Sequence, residues 1–243
     1  TKRLLDTHHS YFYHPSNMSL LVVGDIDVEA NFLAIKTFQE TLPCPEKKMV
    51  AIEPLHYYPV VTSSSIDMEV TTAKLVVGFR GHLALDQYSL LTYRVALKLL
   101  LAMLLGWTSK TYHEWYEDGK IDDSFDIEVD IQDKFQFVLV SLDTAEPIAM
   151  SNQIRRQLTH LNHSKDLTAK HLTLLKQEMY GDFIQSLDSI EHLTSQFNLY
   201  LTDKETYFDL PRIIESITLK DILAIGKAFF EKADISDFTV FPK

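Results

Sequence analysis

Residues 124–143 read SFDIEVDIQDKFQFVLVSLD, and this stretch decides the fold. In its first half apolar residues alternate with acidic ones, and after Gln132 and Asp133 the run Phe135–Leu142 supplies a second apolar segment. Alternation with a period of two is typical of a β-strand with one buried and one wet face. The stretch therefore predicts an antiparallel β-hairpin.

Other strands and helices are predicted outward from this hairpin. Short runs rich in apolar and β-branched residues predict strands at Ser19–Gly24, Ile66–Val70, Lys74–Arg80 and Phe238–Phe241. Helical periodicity predicts helices that begin at or near Asp27, Asp86, Thr108, Glu146, Lys165, Leu187 and Thr218. Because strands come in adjacent pairs with helices grouped between them, we expect an α+β fold, an antiparallel sheet with helices packed on it.

Composition excludes several classes of protein. The 243 residues are 46% apolar and 23% charged, as in packed globular proteins. A net charge of -11 argues against nucleic acid and anionic membranes as partners. The longest apolar stretch, Leu85–Leu105, is interrupted by Asp86, Arg94 and Lys98 and predicts a core helix, not a membrane span. One cysteine, Cys44, and the lack of a signal peptide lead us to expect a cytoplasmic protein.

The usual catalytic and nucleotide-binding motifs are missing from the sequence. It has no G-x-G-x-x-G, no P-loop, no G-x-S-x-G and no His-x-x-Glu-His in either orientation. The pair His160/His163 lacks a suitably spaced carboxylate, and His8 and His9, expected on an extended segment, would point to opposite sides. The segment Asp188-Ser-Ile-Glu191-His192 has aspartate where a zinc site needs histidine. We therefore expect no metal site and no catalytic residue in this chain.

The most distinctive charged feature is the acidic set Asp122, Asp123, Asp126, Glu128 and Asp130. Like charges along one strand face repel each other, so sheets usually avoid them. Two interpretations stay open: a solvated sheet face, or a surface at Asp126, Glu128 and Asp130 that meets a basic partner or a cationic peptide.

Several segments together resemble one family. Residues 11–27, YFYHPSNMSLLVVGDID, closely resemble the Tyr-x-Pro-x-Asn-Met, apolar strand, Gly-Asp-Val-Asp signature of the insulinase/pitrilysin zinc metalloendopeptidases. Residues 73–81, AKLVVGFRG, resemble the strand that opens the family's second repeat domain. Residues 105–112, LGWTSKTY, resemble its Leu-Gly-Gly-x-Ser-Ser-Arg-Leu-Phe turn, and Gly119-Lys120-Ile121 its Gly-Leu-Ala. The chain is most similar to bacterial insulinase-like processing peptidases.

The resemblance implies a domain organisation. Residues 1–45 would be the last strand and helix of a preceding repeat domain, 46–64 a Pro-rich linker, and 65–243 a complete C-terminal repeat domain. In the family two such halves close around an extended peptide. The zinc motif would lie in the parent protein outside this chain or in a partner, so zinc is expected there and no cofactor here.

Departures from the family pattern bear on catalysis. Active members place an arginine and a tyrosine after this turn, in contact with the peptide carbonyl; the matching positions here are Tyr116 and Asp122 or Asp123. With Ser109 and Lys110, these are the positions at which the resemblance implies substrate contact. An aspartate cannot stabilise an oxyanion. Either this is a substrate-facing half that has lost catalytic assistance, or it belongs to a zinc-bearing half that never supplies it.

Two functions follow from the resemblance. The first is a non-catalytic portion of an insulinase-like zinc peptidase that forms part of the peptide-binding chamber. The alternative is a catalytically inactive scaffold or binding subunit that pairs with an active homologue. The implied partners are a peptide or protein substrate and a zinc-bearing half or homologous subunit, and a homodimer of the chain is a further candidate assembly.

Overall fold

The structure, a computed structural model, describes residues 2–42, 56–132, 134–161, 164–200 and 205–243. Its five strands are β1 (Ser63–Met68), β2 (Lys74–Arg80), β3 (Asp126–Ile131), β4 (Gln136–Asp143) and β5 (Asp234–Pro242). Its α-helices are α1 (Lys2–Phe12), α2 (Val28–Thr41), α3 (Leu90–Leu105), α4 (Lys110–Glu117), α5 (Pro147–Thr159), α6 (Ala169–Ser186), α7 (Ile190–Tyr200), α8 (Leu210–Ser216) and α9 (Leu219–Phe230). The predicted α+β class is confirmed.

The hairpin predicted from residues 124–143 is confirmed as β3 and β4. The two strands pair antiparallel from Asp126 opposite Ser141 to Ile131 opposite Gln136. On β4, Val138, Val140 and Leu142 are buried and form the inner face. The period of two in the sequence therefore corresponds to one face packed against helices and one face turned away from them.

The order of strands in the sheet is β1-β5-β2-β4-β3. β5 runs antiparallel to β2 and parallel to β1, so one edge pair departs from the antiparallel pattern. The expectation that β1 and β2, adjacent in sequence, pair with each other is wrong, because β5 lies between them. The connection at residues 69–73 is long enough for this, since two strand spacings are about 10 Å.

Helix α3 lies at the centre of the core. Twelve of its sixteen residues are buried, and it packs against α9, α6 and β3. The predicted cap at Asp86 is wrong: the side chain of Ser89 accepts from the Thr92 N–H, so the helix begins three residues later. Gly106 is the C-cap residue of the helix, and a Cβ there would lie 2.5 Å from the Ala102 carbonyl oxygen.

The N-terminal segment differs most from its prediction. Residues 19–24 form no strand, although α2 begins where predicted, with the Asp27 side chain accepting from the Ala30 N–H at 2.9 Å. His8 and His9 lie in helix α1, which was not predicted, rather than on an extended segment. Neither α1 nor α2 contains a buried residue. The predicted strand has no pairing partner in the described part of the sheet.

The remaining predicted elements are found with shifted ends. The last four helices of the prediction correspond to α5, α6, α7 and α9, and α8 was not predicted. Strand β1 begins at Ser63, inside the end of the predicted linker. Cys44, His163 and linker residues 46–55 lie outside the described residues.

In the described ranges, no single helix is long and apolar enough to cross a membrane. Helices α3 and α4 meet that criterion of length and composition only when taken together as a pair bent by 44°.

Candidate functional site

The candidate site is the edge of the sheet at β3, which pairs only with β4 in the described part of the chain. The Gln132 N–H donates to the Phe135 carbonyl oxygen at 2.8 Å. Hydrogen bonds within an antiparallel pair recur at every second residue. The backbone groups of Ile127, Val129 and Ile131 therefore point away from β4, toward the open edge.

Arg94 on helix α3 closes one end of this edge. Its Nε donates to the Ile131 carbonyl oxygen at 2.8 Å and its Nη2 to Gln132 Oε1 at 2.9 Å. The side chain is buried, so the guanidinium replaces the strand neighbour that Ile131 lacks. The part of the edge left open lies at Ile127 and Val129.

The acidic stripe consists of Asp126, Glu128 and Asp130, every second residue of β3. Asp126 and Glu128 are exposed and Asp130 is half-buried, with its Oδ1 accepting from Gln132 Nε2 at 2.9 Å. On β4 they stand opposite the uncharged residues Ser141, Leu139 and Phe137. None of the ion pairs described in the structure includes a residue of the stripe. A cation placed along β3 would relieve the repulsion between these carboxylates.

Ser109 and Lys110 lie at the start of α4. Ser109 is buried, and its Oγ accepts from the Tyr112 N–H at 3.1 Å, so it caps the helix. Lys110 has an exposed side chain, and its backbone N–H donates to Asp166 Oδ2 at 3.0 Å. Substrate contact at these two positions stays a prediction, and of the two side chains only that of Lys110 lies at the surface.

The positions that replace the family's arginine and tyrosine flank the turn from α4 to β3. Tyr116 is 51% exposed, and its ring stacks on Tyr112 with centroids 6.0 Å apart. The Ser124 hydroxyl and then its N–H donate to Asp122, and these bonds hold the pKa of the Asp122 carboxyl below its usual range. Asp123 is exposed. Asp122 is therefore an anion at neutral pH.

Sequence reasoning missed two residues of this region, Arg94 and Trp107. Trp107 follows Gly106 in the loop between α3 and α4 and is 64% exposed. It borders a groove of about 450 Å³ between α3, α4 and β3, lined mainly by Leu101, Ala102, Leu105, Tyr112, Phe125, Ile127 and Val129. The signals available were a charge inside an apolar helix and a large aromatic residue beside a helix-ending glycine.

Zinc does not fit the described part of the chain. A zinc site needs three or four His, Cys, Asp or Glu side chains around one point. No such group of three occurs in the described ranges. His160 instead follows α5 as its C-cap residue, and Glu191 and His192 are exposed on α7.

The sequence of the chain is similar to one protein family and to a bacterial zinc protease. A family model for the peptidase M16 inactive domain matches residues 1–206. The uncharacterized zinc protease YmfH of Bacillus subtilis (strain 168) is 31% identical over 225 residues, which cover 91% of this chain and 52% of YmfH.

Solved structures share the fold. An M16-like peptidase from Alicyclobacillus acidocaldarius superposes with a TM-score of 0.84 at 22% identity, over 100% of this chain and 58% of the other. A protease from Helicobacter pylori superposes with a TM-score of 0.78 at 19% identity, over 100% of this chain and 59% of the other. The chain thus spans little more than half the length of each of these proteins.

Proposed function

The chain belongs to the M16 peptidase family, whose inactive domain it matches, and we propose that it is the non-catalytic half of a zinc peptidase. This half would form part of the wall that binds the peptide. Hydrolysis would be carried out by a zinc site outside these residues. The proposal is supported by a zinc protease relative twice as long as the matched region and by the lack of a metal-binding group in the ranges described.

The observation that carries the proposal is the open edge of β3 beside the acidic stripe. An extended peptide can add to such an edge as a further strand, with main-chain hydrogen bonds supplying affinity and side-chain contacts supplying specificity. Ile127 and Val129 offer the backbone groups, and Asp126 and Glu128 offer negative charge. The preferred ligand is therefore an extended, cationic peptide.

Asp122 supports a non-catalytic role for this half. A group that assists peptide hydrolysis from this position would have to donate a hydrogen bond to the oxyanion that develops on the carbonyl oxygen. Ionised Asp122 has no proton to donate, and Tyr116 is stacked on Tyr112. The half would then bind the substrate and leave the chemistry to its partner.

We propose the same domain division as the family resemblance implies, with residues 1–45 belonging to a preceding domain. Support comes from the exposed apolar side chains of α2, of which Phe32 is 68% and Phe38 is 62% exposed. The second candidate function, an inactive scaffold that pairs with an active homologue, is favoured by the same Asp122 and differs only in where the zinc site lies. Mixing the chain with a zinc-bearing homologue and assaying peptide cleavage distinguishes the two.

Peptide binding tests the proposed edge. The probe is fluorescein-labelled Lys-Thr-Lys-Leu-Lys-Thr-Lys, with affinity measured by anisotropy. Asp126→Lys with Glu128→Lys should weaken binding about tenfold at low salt, the equivalent of two exposed ion pairs. The difference should shrink in about 1 M salt because the charges are then screened.

The matched control is Asp67→Lys with Glu69→Lys at the other edge of the same sheet, which makes the same change in net charge at two exposed positions. Equal weakening by both double variants would show that net charge, not β3, attracts the peptide. Separately, zinc bound in a one-to-one ratio with peptide cleavage by this chain alone would refute the non-catalytic assignment.

A further inference from the structure

Trp107 is an apolar side chain that the fold leaves at the surface. It is 64% exposed, whereas the other tryptophan, Trp115, is 5% exposed in the core. In the family turn that residues 105–112 resemble, this position is a glycine. The exposed indole is therefore a feature of this chain. Packing in the core does not explain why a tryptophan stands at this position.

The indole stands between two apolar grooves. The first, of about 450 Å³, lies toward β3, where Phe125, Ile127 and Val129 form its far wall. The second, of about 220 Å³, lies toward α6, where Leu175 and Met179 form its wall. Both grooves are bordered by Lys98, Ala102, Gly106 and Trp107.

The first groove continues from the open edge of β3. Side chains on a strand alternate between the two faces of a sheet. Ile127 and Val129 line the groove, while Glu128 between them lies on the opposite face of the strand. Asp126, at the start of β3, contributes to the rim of the groove. A strand added to β3 would therefore point every second side chain toward the groove and the others toward the acidic stripe.

Charge around the grooves matches the same ligand. Asp126 borders the first groove and Glu178 and Asp182 border the second, whereas Lys98 is the one basic residue among the described residues that line them. The mouths of the grooves are therefore net negative and their walls apolar. A ligand that fits both has a large apolar side chain flanked by basic ones.

We propose that Trp107 determines the specificity of the β3 edge by selecting extended peptides in which a large apolar residue lies between basic residues. The apolar side chain fills the groove against the indole, and the basic side chains meet the acidic stripe on the other face of β3. This inference rests on the proposed peptide-binding function. It adds a requirement for an apolar residue, which charge alone would not impose.

The experiment compares two probes on the 243-residue chain. They are Lys-Thr-Lys-Leu-Lys-Thr-Lys and the same peptide with alanine in place of leucine, both labelled for anisotropy. We expect the leucine probe to bind about tenfold more tightly, as for burial of most of a leucine side chain. Trp107→Ala should remove that preference, so that the two probes then bind with the same affinity.

A control substitution and a second readout separate binding at Trp107 from a change in folding. Ile148→Ala removes an apolar side chain on α5 that is exposed to a similar extent and should change neither affinity. In the unmodified chain, the leucine probe should shift tryptophan emission to the blue and protect it from acrylamide, because only Trp107 is accessible to quencher.

The possible outcomes distinguish the two claims. The two probes could bind with equal affinity, and Trp107→Ala could leave those affinities unchanged while Asp126→Lys with Glu128→Lys lowers them. In that case the proposed function stands and the role of Trp107 is refuted. If neither probe binds, both claims are refuted. A leucine preference that disappears with Trp107→Ala alone supports both.

Discussion

Gly226 is the residue through which helix α9 approaches helix α3. A Cβ at this position would lie 2.1 Å from Cδ2 of Leu100, a fully buried side chain. Gly181, in the interior of α6, would place a Cβ in open space, with no described heavy atom within 4 Å beyond its chain neighbours and the backbone of its own helix. Both glycines lie in helices, so the pair separates helix propensity from packing.

We predict opposite effects of alanine at these two positions. Gly181→Ala should raise the free energy of unfolding by about 0.5–1 kcal/mol, because alanine is the better helix former. Gly226→Ala gains the same propensity but crowds Leu100, and overpacking of a core typically costs about 1–3 kcal/mol. The net result should be destabilisation. Urea unfolding measures both variants, and equal stabilisation by both would contradict the close packing of α9 on α3.

Single residues differ in how far the sequence predicts them. The caps at Asp27 and at Thr218 with Asp221 were predictable, because a capping side chain and the N–H it accepts from lie within three residues. The exposure of Trp107 was not, since it depends on how α3, α4 and β3 meet in three dimensions. The burial of Arg94 likewise depends on β3, which comes more than thirty residues later in the chain.

At the level of elements, the sequence predicts local pairing and fails for distant pairing. The β3–β4 hairpin needs only a short turn, so its alternation identifies both strands. β1 and β5 lie at opposite ends of the domain, and no local pattern shows that β5 inserts between β1 and β2. The acidic stripe was therefore predictable as a strand face, while its position at an edge was not.

Residues 56–62 form a strap that crosses the ends of the strands before entering β1. Its hydrogen bonds include those from Tyr57 Oη to the Lys134 carbonyl oxygen, from Arg80 Nη2 to the Tyr58 carbonyl oxygen and from Ser236 Oγ to the Val61 carbonyl oxygen. The Asp237 N–H and Arg155 Nη2 both donate to the Thr62 carbonyl oxygen. Asp234 orients Arg80, because its Oδ2 accepts from the Arg80 Nη2 at 2.6 Å and Nε at 3.0 Å. The strap is thereby held against the sheet at β2 and β5.

We predict that the Arg80–Asp234 ion pair beside this strap makes part of the free energy of unfolding depend on pH. Hydrogen bonds from Arg80 and then His82 hold the pKa of Asp234 below its usual value of about 3.9. A depressed carboxyl pKa contributes stability that is complete above the unfolded-state pKa and is lost as the pH falls through the folded-state pKa. Asp234→Asn should therefore lower the free energy of unfolding at neutral pH. On acidification, the free energy of unfolding of this variant should fall less than that of the unmodified chain.

Urea unfolding at about pH 6 and about pH 3 measures the effect. Asp67→Asn is the control, because Asp67 is exposed on β1 and has no ion-pair partner in the described structure. An Asp234→Asn variant with the same acid dependence as the Asp67→Asn variant would show that the Arg80–Asp234 contact contributes nothing.

At the scale of the whole molecule, the two ends of the chain are built differently. The part from residue 56 onward has a continuous core between the sheet and α3, α5, α6, α8 and α9. The N-terminal segment, in contrast, exposes a large set of apolar side chains: Leu4, Leu5, Leu20, Val22, Val28, Phe32, Leu33 and Phe38. Exposed apolar surface of this extent is typical of an interface. This agrees with the proposal that residues 1–45 complete a preceding domain.

We predict that this surface makes the isolated chain self-associate. Replacing Phe32, Leu33 and Phe38 by serine should reduce association, because these three side chains are each at least 62% exposed on α2. The matched control replaces the exposed polar residues Glu29, Lys36 and Glu40 of the same helix by serine and should leave association unchanged. Sedimentation velocity at increasing concentration gives the association state.

The main thermal transition should stay within about 2 °C in both variants, since α2 contributes no buried residue to the core. A chain that stays monomeric at all concentrations, or a large fall in that transition with the apolar triple variant, would show that α2 already packs on the domain.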